Sequence, residues 1–526
     1  MNIKIIFLIA IGTIFCLHAK AQVEYYGGPS GKKLDWAIFY LKEHYVDSTD
    51  NEFLADMAIK RIAQELDEYS VYQTAQEIED QNNADSGFSP ESYGFHFFAV
   101  GDTSFVTYIF RDGPAEKAGL KIGDRILKIN GNSVTAENYA RIQEFVSDTS
   151  LMELNFEVTS KIENQRKLSI VKDLVPLKSV DAHFMYDEFT GYLKIGRFTV
   201  NTIKEFEEII EPMKAQGLSN LILDLRGNYG GVVTGAMDLA DRFLTTGKVM
   251  SYSEGYNLER TEYISKNKSS MGGINLSILI DENSMSAAEM FTGALQDWDR
   301  ALIIGFESFG KGLIQQSYSF EDGSAIRMTI GKYFTPGGRY LQRAKDDAQL
   351  IENFISQPSE YSVNIAPTSM RAETKTGREI AASSGGIIPD IYMYRKAPNS
   401  ESFTKLNEQG LLYGFTCSYM FEQRDRYLQK HNDIKSFMND KSVDMDINKV
   451  LGNFIVQEVN RLGLDKSLIP YAISDDIIHE IKAWIAGQLW NDNAYFQMKS
   501  TTDPIVQRAL ESYKDGSFRS LNLFAY

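Results

Sequence analysis

Two serines and a lysine between Leu276 and Gln316 have the types and the spacing for nucleophilic catalysis. The stretch reads LSILIDENSMSAAEMFTGALQDWDRALIIGFESFGKGLIQQ. An apolar strand, Leu276 to Ile280, runs into a turn that presents Ser284 and Ser286. A helix follows, with Ala287, Ala288, Met290 and Ala294 on its packed side and Gln296-Asp297 near its end. A serine at such a turn has an exposed hydroxyl beside N–H groups that lack an intrahelical partner and can stabilise an oxyanion. It still needs a base. No histidine lies between Phe184 and Lys430, and a second apolar strand, Ala301 to Ile304, leads to a glycine-bracketed lysine, Gly310-Lys311-Gly312. Lysine is a base only when neutral, so its ordinary pKa of about 10.4 must fall by several units, through loss of water. Phe309 and Leu313 flank it and are the expected dry surroundings.

A second constellation lies upstream. Asn220 to Leu225 reads as a buried strand leading into Arg226-Gly227-Asn228-Tyr229-Gly230-Gly231. A Gly-Gly turn at a strand end lets backbone N–H groups approach a substrate oxygen closely. Taken alone it is an ordinary strand-to-helix turn. Beside the serine and lysine, Gly230 and Gly231 are expected to form an oxyanion hole with the N–H of Ala287. Asp224 and Arg226 are expected to order this loop rather than to do chemistry.

These strings resemble those of the C-terminal processing (tail-specific) serine proteases, which use a Ser–Lys dyad. On that pattern Ser286 matches the nucleophile and Lys311, 25 residues on, the base. Gln315 matches the position that orients the lysine, and Ser284 is not the match. The D-L-R-x-N-x-G-G string at Asp224 to Gly231 is a second match, with Tyr229 where the family usually has proline. Met285 stands where another small residue is common. The resemblance implies a serine endopeptidase that needs no metal or other cofactor.

The elements that position these residues alternate. Gly191 to Ile195 reads as a strand, Thr202 to Lys214 as an amphipathic helix, and Asn220 to Leu225 as a strand. Such alternation argues for an α/β catalytic core with a mainly parallel central sheet, here residues 174–398. Ala325 to Tyr333 adds a strand, and Gly386 to Asp390 follows the family where it closes the body. Residues 344–383 are polar and aperiodic, a loop or insertion.

Residues 88–173 resemble a PDZ domain. Gly113-Pro114 begins a short helix that Gly119 ends, and Ile126 to Ile129 is a strand closed by an Asn-Gly turn. PDZ domains add an extended peptide to a sheet edge and hold its terminal carboxylate on backbone N–H groups. Tyr93, Gly94, Phe95, His96 and Phe97, continuing to Phe98, are the expected binding loop, with one glycine where two are usual. The expected partners are protein or peptide substrates with accessible C-terminal tails.

Met1 to Ala21 reads as a signal peptide, with Lys4, an apolar run from Ile5 to Leu17, and Ala19-Lys20-Ala21 for cleavage. The run is too short to span a bilayer, and no other is long enough, so the mature chain is expected to be exported, periplasmic or extracellular, without a membrane span. Without this segment Cys417 is the one cysteine, which excludes an intrachain disulfide. The formal charge of −17 and the lack of a basic patch argue against nucleic acid and anionic membrane surfaces as partners. Residues 22–87 form an N-terminal helical segment, with Leu34, Ile38, Leu41 and Tyr45 at helical spacing; it includes LDEYSVY and reads as a structural cap. Residues 399–526 form a C-terminal helical domain, which leaves dimerisation or higher assembly, substrate access and plain packing all open.

Two other classes remain. A hydrolase of small esters or amides would need one of the scattered histidines near Ser286. A PDZ-based peptide-binding scaffold would bind tails without cleaving them, against which the paired serine and lysine count.

Overall fold

The computed structural model describes residues 28–521 and 523, except 101–102, 136, 149, 161–164, 268, 344–370, 383–384, 394–399 and 472–473. Residues 1–21, expected to be a signal peptide, and most of the 344–383 stretch, expected to be a loop or insertion, lie outside the described residues.

The catalytic body is built on a six-stranded sheet. Its strand order is Ile391–Tyr392, Leu302–Gly305, Asn275–Ile280, Asn220–Asp224, Thr190–Ile195 and Val180–Met185. The first four pairings are parallel and the last antiparallel. Its inner strands are apolar on both faces, as a sheet covered on both sides requires. Leu221, Leu223, Leu276 and Ile278 face one layer, which contains residues of the helices Thr202–Ala215, Val233–Asp241 and Ala287–Asp297. Tyr192, Ile222, Leu279 and Ile304 face the other, which is filled by Ile505, Val506, Ala509 and Leu510 of the Pro504–Ser512 helix. Thus the end of the C-terminal helical stretch covers one face of the catalytic sheet.

Every pairing in the other sheets is antiparallel, so antiparallel pairs predominate over the described chain. In one of them Ala325–Phe334 pairs along one edge with Leu313–Ser319. Along its other edge it pairs with Val71–Gln73 and Val249–Glu254. The N-terminal segment is therefore not helical throughout. Helices Gly28–His44, Asn51–Leu66 and Ala75–Asp85 are interrupted by a strand that joins the catalytic body. The stripe of Leu34, Leu41 and Tyr45 is exposed, not packed. Arg371–Glu373 and Glu379–Ala381, within the stretch expected to be irregular, form a small hairpin.

The 88–173 region is a separate sheet, ordered Phe95–Val100, Thr103–Ile109, Arg125–Ile129, Glu153–Thr159 and Arg166–Val171, with its own core of Phe95, Phe97, Ile126 and Phe156. Phe95–Val100 is its edge strand. The long helix Leu411–Lys430 docks beside it: Phe98 meets Tyr413 edge-on, and Phe105 meets Phe421. Among the described residues no helix is long and apolar enough to cross a membrane.

Ala509 is fully buried between its helix and the parallel sheet. An aspartate there would be an uncompensated buried charge, so Ala509→Asp is expected to cost about 3–5 kcal/mol in urea unfolding. Wild-type stability in that variant would mean the helix does not seal the sheet.

Candidate active site

Three neighbouring parallel strands each end in one piece of the site. Asn220–Asp224 leads into the glycine loop, Asn275–Ile280 into the serine turn, and Leu302–Gly305 into the lysine loop. The pieces are tied together by backbone and side-chain bonds. The Met285 N–H donates to the Asn228 carbonyl (2.9 Å), and the Gly227 N–H to Asp281 Oδ1 (2.9 Å).

Ser286 caps the Ala287–Asp297 helix with φ +56° and ψ −112°, a conformation that side chains rarely adopt and that costs about 1–3 kcal/mol. Ser284 is fully buried; its hydroxyl donates to the Leu225 carbonyl (2.9 Å) and accepts from the Asp281 N–H (3.0 Å). Ser286 is partly exposed, so of the two serines it alone is accessible from solvent.

Glu289, one turn into the helix, is the residue that sequence reasoning passed over. Its carboxylate is completely buried. Oε2 accepts from the N–H of Ser286 (2.8 Å) and of Lys311 (2.8 Å). Oε1 accepts from the N–H of Gly310 (2.6 Å) and the hydroxyl of Ser308 (2.6 Å). One side chain thus spans the serine turn and the lysine loop. Burial pushes this carboxyl up to about 7, against the pull of its four hydrogen bonds. The only sequence signal was a glutamate three residues after a serine at a helix start, the pattern of a capping box.

Lys311 is half-buried. Burial lowers its pKa, the positive charge of Arg327 lowers it further, and Glu289 opposes both. Phe309 is 38% exposed, so the dry surroundings do not come from it as expected. They include Tyr69 of the N-terminal segment, whose ring centroid is 4.9 Å from the lysine Nζ. Gln315, on the strand after the lysine, donates its side-chain amide to the Tyr69 carbonyl. LDEYSVY, expected to be a structural cap, therefore reaches the lysine.

Gly230 and Gly231 lie where the expected oxyanion loop meets the serine. A Cβ on Gly230 would fall 3.0 Å from that of Ser286 and 3.2 Å from the Ala287 nitrogen. The N–H of Gly230 is taken by Asn228 Oδ1 (2.8 Å). Gly231 has φ +122°, and a Cβ there would collide with the Phe198 carbonyl. Asp224 is buried, hydrogen-bonded to Arg226 and Tyr192, and held well below the usual carboxylate range by the Arg226 and Lys194 charges, which overcome its burial. Arg226 also pairs with Asp503 (2.8 Å), at the start of the helix that covers the sheet. Gln296 and Asp297 hold Arg339 at 2.9 and 2.6 Å and so fix the turn after the Ala325–Phe334 strand.

The described histidines lie elsewhere. His96 is in the edge strand near the PDZ groove, His183 pairs in the central sheet, His431 bonds Asp440, and His479 faces the Met498 carbonyl; His44 stacks on Tyr40.

In the expected peptide-binding loop, Tyr93, Phe95 and Phe97 are core residues; Gly94 packs against Pro114, and His96 is exposed. A cavity of about 830 Å³ wraps this edge strand, lined by Phe95, His96, Phe98, Gln143 and Tyr413 among others. The Tyr139 hydroxyl donates to the Phe97 carbonyl of the same strand (2.9 Å).

An α/β body with these strand-end loops is thus joined to a separate antiparallel domain. Residues 189–350 match the model of peptidase family S41 and residues 105–154 that of a PDZ domain. A probable CtpA-like serine protease of Staphylococcus epidermidis is 29% identical over 361 residues, 68% of this chain and 72% of that one. A protein of the same description from Staphylococcus aureus is 31% identical over 342 residues, 64% and 66% of the two chains. The solved photosystem II D1 C-terminal processing protease aligns at 21% identity with a TM-score of 0.37, over 70% of this chain and 88% of its own. The chain belongs to the S41 peptidases, the C-terminal processing family, and carries a PDZ domain.

Glu289→Gln would put a donor where one carboxylate oxygen accepts two bonds. Each donor left unpaired costs about 1–3 kcal/mol, so a lower urea midpoint is expected together with a loss of activity of roughly tenfold or more. Protonation of the carboxylate has the same effect, so wild-type activity is expected to fall as pH drops below about 7. A fully active Glu289→Gln enzyme would mean the carboxylate does not hold the two loops.

Proposed function

We propose that this chain is an exported serine endopeptidase that captures C-terminal tails through its PDZ domain and cleaves peptide bonds with a Ser286–Lys311 dyad. The observation that carries the reading is the shared anchorage of both residues on one buried carboxylate, Glu289. The apolar run before Ala19-Lys20-Ala21 supports export.

In the reaction, Ser286 Oγ attacks the peptide carbonyl carbon while its proton passes to neutral Lys311 Nζ. The oxyanion accepts hydrogen bonds from the N–H groups of Ala287 and the Gly230-Gly231 loop. Since Asn228 already holds the Gly230 N–H, Gly231 is the assigned donor of that loop. Lys311 then protonates the leaving amine as the C–N bond breaks. Water then attacks the ester carbonyl, giving its proton to Lys311, which passes it to Ser286 Oγ as the acyl–oxygen bond breaks. The depressed lysine pKa makes the neutral amine available at lower pH than for a free lysine, and activity rises as the proton leaves.

Cleavage of an unfolded protein, followed by mass spectrometry, is expected to disappear in Ser286→Ala and to persist in Ser284→Ala, apart from losses in stability. Lys311→Arg should be nearly as inactive as Lys311→Ala, because arginine does not give up its proton in a protein. An active Lys311→Arg enzyme would exclude the lysine as base; tail binding with no cleavage by the wild type would favour a scaffold.

The aromatic cavity beside the edge strand Phe95–Val100 suits a tail ending in apolar residues. A substrate with such a tail is expected to be degraded faster than the same protein ending in Asp-Asp or in an amidated residue. Equal rates for all three would sink tail selection and leave the dyad standing.

A further inference from the structure

The scheme above makes no use of Tyr69, which comes from outside the catalytic body. It lies just before Val71–Gln73, the short strand that joins the edge of Ala325–Phe334. Its backbone is fixed: Asp67 Oδ1 accepts from the N–H of Tyr69 (2.8 Å) and of Ser70 (2.7 Å), and Ser70 Oγ accepts from the Thr329 N–H (3.2 Å). Both polar ends of Tyr69 are bonded around the lysine's own segment. The Gln315 amide donates to its carbonyl, and its hydroxyl bonds the side chain of Gln342. Gln342 Oε1 in turn accepts from the N–H of Gly312, next to the lysine (3.1 Å). Between these anchors the ring lies 4.9 Å from Lys311 Nζ, within the roughly 6 Å over which a ring attracts a cation.

We propose that Tyr69 is a positioning residue for Lys311: its ring face holds the lysine amine in the site, and its two polar ends keep the ring in register with the lysine loop. The proposal rests on the reading of Lys311 as the base. A residue that only filled space would not need bonds flanking the lysine on both sides. The charged or titratable groups facing the amine are Glu289 from the serine helix, Arg327 from the adjoining strand and Tyr69 itself, with Glu68 beside the tyrosine. Glu289 attracts the ammonium form and Arg327 repels it. The ring attracts it too, so weakening the ring face should ease loss of the proton while leaving the amine less well held.

The test keeps the ring's shape and changes its face. Phenylalanine and trifluorinated phenylalanine are placed at position 69 of the full chain, with Tyr69→Leu and Lys311→Ala alongside. Values of kcat and KM for an unfolded protein substrate are measured from pH 6 to 10. Tyr69→Phe is expected to stay within about threefold of wild type, with its alkaline rise at the same pH. The fluorinated ring and leucine are expected to lower kcat, leucine by about tenfold, with KM within about twofold. Both should move the rise to lower pH, by about half a unit to one unit for leucine. Thermal unfolding separates misfolding from lost positioning, and the fluorinated ring keeps the test decisive if leucine does not fold. A pH rise unmoved by fluorination, or Tyr69→Phe as impaired as Tyr69→Leu, would overturn the proposal. Activity in Lys311→Ala would instead overturn the base assignment on which it stands.

Discussion

The site depends on one buried carboxylate. Glu289 accepts four hydrogen bonds and joins the turn that presents Ser286 to the loop that presents Lys311. A buried charge without partners is costly, and one with every acceptor filled becomes a rigid junction. Here the junction also restrains the unusual backbone of Ser286, whose N–H it binds directly. Ser308 extends it: the same hydroxyl that donates to Glu289 accepts from the Ile387 N–H (2.7 Å) and so ties in the segment that closes the catalytic body.

The fold explains why these loops meet. Parallel neighbours end on the same side of a sheet, and ligands of α/β proteins gather beyond those ends. The strands that end in Asp224, Ile280 and Gly305 are adjacent and in register. Their loops therefore converge without long connections. Both faces of the sheet must be covered for such strands to be buried. One cover comes from three nearby helices, and the other includes a helix that arrives from residue 504 onward. Arg226 links that cover to the site, pairing with Asp503 on one side and Asp224 on the other.

Much of this was legible in the chain. The strands and helices of the body follow apolar runs and periodic faces, so the observed Thr202–Ala215, Asn220–Asp224 and Asn275–Ile280 differ little from the expected bounds. Ser286, Lys311 and the Gly230-Gly231 loop stood out because glycine brackets and short spacings are local signals. Glu289 did not, because a glutamate at the start of a helix is ordinary and three of its four partners lie 19 to 22 residues away in sequence. Tyr69 was hidden for the same reason on a larger scale, since it meets a lysine over two hundred positions away through tertiary pairing. In the PDZ region the run of aromatics did not show which side chains face inward: strand alternation turns Phe95 and Phe97 into the domain core and leaves His96 outside. The exposed stripe of the first helix shows the converse limit, because helical spacing identifies a face but not what covers it.

What the account needs above all is a lysine that can be neutral while the enzyme works. Its protonation can be read directly by carbon-13 NMR of ε-labelled lysine in the intact protein, with the resonance assigned by its loss in Lys311→Arg. A working Ser286–Lys311 dyad requires a lysine that gives up its proton below the usual lysine pKa of about 10.4, the direction in which its burial and the nearby Arg327 push it. If the Lys311 resonance titrates with the exposed lysines, the dyad as described here is contradicted.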